Sequence, residues 1–353
     1  MRPRAPVPPS LSAIAGRVDH RLADLLEVET ARWGQVDPAL VSPFDALRRL
    51  VAAGGKRLRP AFCYWAFVGA GGDPDDPRIV DAGAAFEMLH AFALVHDDVM
   101  DDSDTRRGQP AAHVAFAAEH RAGGWRGEPR RFGEGAAILA GDVAHVYADR
   151  LLGDVPPDVA RVWDELRLEL NVGQYLDLLG TARADRDLGM AHRIARFKSG
   201  KYTIERPLHV GAALAGRLGD LEGPLSAYGD PLGEAFQLRD DVLGAFGDPE
   251  RTGKPVGEDL REGKPTPLLA LAHARAGEAG AAVLNRVGEP GLTDADVARI
   301  QQVLVECGAV EVVEGLIDTL TTRAVDAVEA ADITAEARDE LIELARFVAA
   351  RDS

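Results

Sequence analysis

The chain has 353 residues and a formal charge of -17. That length can bury a large core; at about 150 residues per domain it is a prior of roughly two domains, although single domains of this size occur. The acidic balance argues against a general nucleic-acid binder, which needs a basic footprint, but not against a small anionic substrate met by local Lys and Arg.

Residues 1–10 are Pro-rich and are expected to form a disordered tail. No apolar run of signal-peptide length follows, and no uninterrupted apolar stretch is long enough to cross a bilayer, so the expected location is the cytoplasm. Ala and Leu recur while Ile, Thr and aromatics are sparse, which favours helix over strand. Helical periodicity between Gly, Pro and Asp punctuation predicts helices over 11–32, 43–53, 58–70, 78–101, 134–151, 158–179, 188–201, 203–217, 223–246, 265–276, 293–307, 309–331 and 334–350. Pro156-Pro157 opens one of these and Gly180 closes it. Thr293 and Asp296 have the spacing of a cap. No pair of strand-like runs flanks a tight Asn-Gly or Asp-Gly turn. The Gly- and Arg-rich stretch 119–133 reads as a long surface loop. Cys63 and Cys307 lie too far apart in sequence for a ligand-spaced set, and Cys307 continues the stripe Val297, Ile300, Leu304 as a buried thiol. With no linker dividing the chain, residues 11–353 are read as one all-α domain.

Helix 78–101 is apolar almost all round and so belongs inside. Glu87, His90, Leu94, Asp97 and Asp101 nevertheless recur along one side, and carboxylates on a buried helix need a compensating partner. At about 100° per residue, Asp97 and Asp101 point within about 40° of each other. Such a pair suits a hard cation, since Mg²⁺ usually takes one or two carboxylates plus substrate phosphates and water. A solvated helix end accounts for Asp97 to Asp104 about as well by frequency. Acids at a helix C-terminus oppose the macrodipole, however, so stability alone explains them poorly.

The stretch Gly54-Gly55-Lys56-Arg57-Leu58-Arg59-Pro60 places cations after glycines, where backbone and side chains can approach a phosphate. It lacks the spacing of a P-loop. Arg106-Arg107-Gly108 adds a cationic pair beyond Asp101, with a local salt-bridge network as the alternative. Gln237, Asp240, Asp241 and Gly244 share one side of helix 223–246. Lys198-Ser199 at a helix end, Gln174 and Asp177 in an apolar helix, and Gly253-Lys254, Asp259 and Lys264 downstream complete the polar set. Singly, each reads as a satisfied core polar group or a solvated face. Their joint occurrence favours a diphosphate site.

Leu89-His90 and Asp97-Asp98-Val99-Met100-Asp101 with Arg106-Arg107-Gly108, then Gln237-Leu238-Arg239-Asp240-Asp241, resemble the two aspartate-rich motifs of the trans-isoprenyl diphosphate synthases, the polyprenyl synthetase family. The remaining motifs follow in the family's order over about residues 40–275. The resemblance implies a single large all-α bundle of the isoprenoid synthase type with a central cavity. It also implies head-to-tail condensation of an allylic diphosphate with isopentenyl diphosphate. Asp97, Asp101 and Asp240 would then hold Mg²⁺, with Asp98 and Asp241 supporting them. Arg106, Lys198, Gln237, Lys254 and Lys264 would hold the allylic diphosphate; Lys56, Arg59, His90 and Arg107 would hold isopentenyl diphosphate. Lys198, Ser199 and Gln237 are the implied catalytic residues, the last two offering oxygen dipoles near the carbocation, while departing pyrophosphate takes the proton.

A homodimer is likewise implied. So is a short-chain product, geranylgeranyl diphosphate in preference to farnesyl diphosphate, with Phe92 and Ala93 setting its length. Spacing alone does not put Phe92 in the cavity: it lies about 7.5 Å along the axis from Asp97 and about 140° around it. The second motif departs from the family at Gly244, where many members have a third aspartate, so its metal set depends on Asp240. The rival readings are a class I terpene cyclase, expected to carry an Asn/Ser/Glu second motif, and an inactive regulatory subunit, expected to lack metal or diphosphate groups.

Overall fold

The computed structural model describes residues 6–247 and 257–351, and these are helical almost throughout. They fall into two compact units: Pro9–Tyr64 with Asp73–Val155, and Trp65–Gly72 with the chain from Pro156 on.

The first unit contains α1 (Pro9–Gly34), α2 (Val41–Ala52), the start of α3 (Leu58–Gly69) and α4 (Pro77–Met100), followed by a small hairpin, α5 (Ala112–Ala122) and α6 (Pro129–Leu152). α1 starts at Pro9, within the stretch expected to be a tail, and from there buries Leu11, Ile14, Val18, Leu22 and Leu26 at helical spacing. α4 is nucleated by Asp76, whose carboxylate accepts from the Arg78 N–H at 2.9 Å, with Pro77 in the first turn. Its residues 82–89 are all buried. α4 has the length and hydropathy of a membrane crossing but buries most of that surface.

The stretch 119–133 is not one long loop. α5 ends at Ala122 and α6 begins at Pro129, so only 123–128 connects them. Two local causes explain the difference. Trp125 packs edge-on to Phe132 at 5.2 Å and to His120 at 5.8 Å. Glu128 caps α6 by accepting from the N–H groups of Arg130 and Arg131 at 2.9 and 2.6 Å. A tight hairpin also appears where no strand was expected: Thr105–Arg106 pairs with Gln109–Pro110. Its central residues, Arg107 (φ 53°) and Gly108 (φ 71°), both occupy the left-handed region that such a two-residue turn requires. Arg-Gly does here what Asn-Gly does more commonly.

The second unit contains the end of α3, α7 (Pro157–Ala182), α8 (Leu188–Ile194), a π-helical segment (Ala195–Glu205), α9 (Arg206–Leu214) and α10 (Leu218–Phe246). The helices Glu258–Glu262, Pro267–Arg275, Gly277–Leu284, Asp294–Glu306, Ala309–Glu329 and Ala335–Ala350 follow. Several differ from expectation. The two helices predicted over 188–217 are one continuous run whose winding changes in the π segment. α10 starts before Pro224 and carries both Pro224 and Pro231 inside it. The short helices Glu258–Glu262 and Gly277–Leu284 were not predicted. The Thr293 cap is a full capping box: Thr293 accepts from the Asp296 N–H, and Asp296 from the Thr293 N–H at 3.0 Å. Cys63 is buried, but Cys307 is half-exposed at a helix end, its thiol 3.5 Å from the Leu304 carbonyl.

Candidate active site

In the first unit, the hairpin turns Arg106 back onto the end of α4. Its Nε donates to Asp98 Oδ1 at 2.7 Å, its Nη2 donates to the same oxygen, and Nη2 lies 3.7 Å from Asp97 Oδ2. Asp98 is buried, and burial raises its carboxyl pKa even against the pull of Arg106. Asp98 therefore ties the hairpin to the helix. Asp97 and Asp101 stay half-buried one turn apart, with the Asp101 N–H on the Asp97 carbonyl at 2.8 Å.

The glycine-basic stretch divides its work. Arg57, in the left-handed region at φ 51°, is buried: it donates to Asp19 at 2.8 Å, to Glu87 at 2.7 Å and to the Val51 carbonyl at 2.8 Å. It is the partner that buried Glu87 required. Lys56 and Arg59 remain half-buried beside it. A Cβ on Gly55 would lie 2.9 Å from Arg57 Nη1 and 3.1 Å from Arg107 Nη2, so Gly55 leaves room for two guanidinium groups. Arg107 also donates to the Leu50 carbonyl at 3.0 Å. His90 lies among these groups. Burial first, then the charges of Arg59, Arg107, Arg57 and Arg106, hold its imidazole well below the ordinary histidine range. The implied isopentenyl diphosphate ligands Arg59, His90 and Arg107 thus occupy one cationic corner.

Phe92 stacks on His145 of α6 at 4.7 Å and tilts against His96 at 4.6 Å. His96 Nε2 lies 3.0 Å from the Ile138 carbonyl, an approach made possible by Gly141, where any side chain would strike the imidazole. Ala93 is half-buried on the same helix.

In the second unit, Lys198 and Ser199 sit in the π segment, a rare winding often found at functional sites. Glycines wedge that segment against its neighbours. A Cβ on Gly173 of α7 would fall 2.7 Å from Lys198 Cα, and one on Gly233 of α10 would fall 2.7 Å from Gly200 Cα. Lys198 Nζ bonds Asp177 Oδ2 at 2.5 Å. Beneath it, Arg206 grips Glu169 through two 2.7 Å bonds, and Lys201 bonds Glu205 at 2.7 Å. A buried ionic set of this kind fixes the segment's register.

On α10, the Gln237 amide donates to Asp241 Oδ1 at 2.8 Å. Burial, offset in part by Gln237 and reinforced by Asp259 and Asp240, pushes the Asp241 carboxyl well above its usual range. Any side chain on Gly244 would overlap the carboxylate of Asp259, so the departure at Gly244 opens the space that Asp259 fills. Asp241, Asp259, Lys264 and Thr266 line one small cavity, and Lys264 pairs with Glu262 at 2.8 Å. Asp240 is half-exposed and meets Arg351 Nη2 at 2.6 Å. Lys254, with Thr252 and Gly253, lies outside the described residues.

Arg57 and Asp259 are visible in the sequence only as members of motifs, and Arg351 belongs to none. Buried Glu87 was the available signal for Arg57. Nothing in the local sequence pointed from Arg351 to Asp240.

Among the described residues, no three His, Cys, Asp or Glu side chains converge as a ready-made metal centre. Mg²⁺ does not require one, because substrate phosphates and water complete its shell. The donor chemistry fits: paired carboxylates at Asp97 and Asp101 in one unit, and in the other Asp240 beside a buried Asp241 Oδ2 that makes no hydrogen bond of ordinary geometry.

The polyprenyl synthetase family model matches residues 44–307. The structure is similar to that of geranylgeranyl pyrophosphate synthase from Corynebacterium glutamicum, solved in complex with isoprenyl diphosphate and magnesium. The TM-score is 0.92 at 38% identity, over 97% of this chain and 99% of that one. In sequence it is 32% identical to geranylfarnesyl diphosphate synthase of Aeropyrum pernix, over 88% of this chain and 91% of the relative. It is 33% identical to geranylgeranyl diphosphate synthase of Methanosarcina mazei, over 77% and 79% respectively.

Proposed function

Because the chain belongs to the polyprenyl synthetase family and is a short-chain trans-prenyltransferase, we propose that it condenses isopentenyl diphosphate with an allylic diphosphate to give geranylgeranyl diphosphate. The observation that carries the residue roles is the cationic corner at Gly55, where the guanidinium groups of Arg57 and Arg107 converge beside Lys56 and Arg59. Such a corner can neutralise a diphosphate without a metal. We assign it to isopentenyl diphosphate, held by Lys56, Arg59, His90 and Arg107.

The allylic diphosphate is assigned to Arg106, Lys198, Gln237, Lys254 and Lys264. Asp97, Asp101 and Asp240 are assigned to Mg²⁺, which when bound would stabilise the negative charge that develops on leaving pyrophosphate. Arg106 and Lys198 act on the same charge; each is held by a carboxylate (Asp98, Asp177), so neither has to reorganise as the bond breaks. Ser199 and Gln237 offer oxygen dipoles to the allylic cation. The Gln237 amide nitrogen is engaged by Asp241, which turns the carbonyl oxygen to the opposite side.

The preference for a twenty-carbon product rests on Phe92, whose ring is braced by His145 and His96. A homodimer is supported by α6, which exposes Phe132, Leu139 and Val146 at seven-residue spacing, a seam suited to a second copy of the same helix.

The test is product analysis with isopentenyl diphosphate and each allylic primer in turn. Geranylgeranyl diphosphate as the main product is expected. A hydrocarbon or terpene alcohol from an allylic diphosphate alone would favour a cyclase, and no turnover by the pure homomer would favour a regulatory subunit.

A further inference from the structure

The geometry points to Arg351 as a positioning residue for Asp240, fixing the carboxylate in the orientation in which it takes a divalent cation. The inference rests on the assignment of Asp240 as a metal ligand. Arg351 leaves the end of the helix Ala335–Ala350 in extended conformation, at φ -67° and ψ 151°. Its guanidinium is held at three points: Nη2 lies 2.6 Å from Asp240 Oδ1, donates to the Phe236 carbonyl at 3.0 Å, and the group stacks 4.0 Å over the Phe236 ring. The backbone just before it is pinned as well. Arg239 Nε donates to the Ala349 carbonyl at 2.9 Å, while its two terminal nitrogens grip Glu314 at 2.7 and 2.8 Å.

The exposures assign the roles. The Arg351 side chain is 5% exposed and that of Asp240 38%, so the cation is the fixed partner and the carboxylate reaches outward from it. With Oδ1 engaged by an arginine that cannot lose its proton, Oδ2 is the oxygen turned to a cation. Two effects of opposite sign follow. The positive charge of Arg351 repels a second cation at Asp240; the ordered carboxylate, already in place, binds that cation better. We take ordering as the larger of the two, because the Phe236 carbonyl and ring hold the guanidinium independently of Asp240.

Mn²⁺ as the probe, titrated into the full chain with inorganic pyrophosphate present to complete the metal shell and followed by electron paramagnetic resonance, separates these effects without reference to turnover. Asp240→Asn is expected to lose a bound ion. Arg351→Met is expected to weaken that binding event by about tenfold or more, and to change nothing further when placed on Asp240→Asn. Arg351→Lys, which keeps the charge but not the planar grip, is expected to weaken it too and carries the test should the methionine variant not fold. Equal or tighter binding in the Arg351 variants, with Asp240→Asn defective, would overturn the positioning role alone. Wild-type binding by Asp240→Asn would overturn the metal assignment and the inference with it.

Discussion

The carboxylate of Asp259 occupies the space beside Gly244 that any side chain at that position would need. An acid from the helix Glu258–Glu262 therefore fills the space that a third aspartate of the second motif would enter. Gly244→Ala is expected to push Asp259 aside and to lower kcat with little change in fold. Gly244→Asp combined with Asp259→Gly moves the acid rather than adding one, and is expected to recover activity relative to Asp259→Gly alone. Steady-state kinetics on the four proteins checks this.

Phe92 is expected to set product length through its stack on His145. Phe92→Ala should lengthen the product by one or more five-carbon units, read by chromatography of the hydrolysed products. An unchanged product would remove Phe92 as the limit.

Arg57 is expected to matter for stability rather than for binding. It and Glu87 are both almost wholly buried, with 2.7 Å between them. Arg57→Met takes from buried Glu87 its hydrogen-bonded cation, at a cost of about 3–5 kcal/mol. Lys56→Ala should alter stability by less than about 0.5 kcal/mol while raising KM for isopentenyl diphosphate. Denaturant unfolding alongside kinetics distinguishes the two.

His90 predicts a pH dependence of stability. Its folded-state pKa is depressed by burial and four arginines, whereas unfolded histidine titrates at about 6.5. Between those values the unfolded chain binds a proton that the folded chain does not, so stability falls as pH drops below the unfolded value. His90→Gln should flatten that loss, measured by unfolding at pH 7.5 and 5.5.

Much of this was legible in sequence because the chemistry sits on regular helices. Asp97 and Asp101, or Gln237 and Asp241, recur at i, i+4, and periodicity places them on one face without knowledge of the fold. What escaped depends on long-range approach or unusual winding. The π segment has no distinct local pattern; it is held by Gly173 and Gly233 from two other helices. Arg351 meets Asp240 across more than a hundred residues of chain. The stretch 119–133 misled because its glycines outnumber its signals, while Trp125, Phe132 and the Glu128 cap order it. Pro224 looked like a helix start and lies inside α10 instead.

The most direct test of the central claim is incorporation of labelled isopentenyl diphosphate with a geranyl or farnesyl primer, measured with Mg²⁺, with chelator, and in Asp97→Asn and Asp240→Asn. Mg²⁺-dependent formation of geranylgeranyl diphosphate is expected, falling by at least about a hundredfold in either variant while the helical fold is retained. Incorporation that persists under chelator, or at the wild-type rate in both variants, would contradict it.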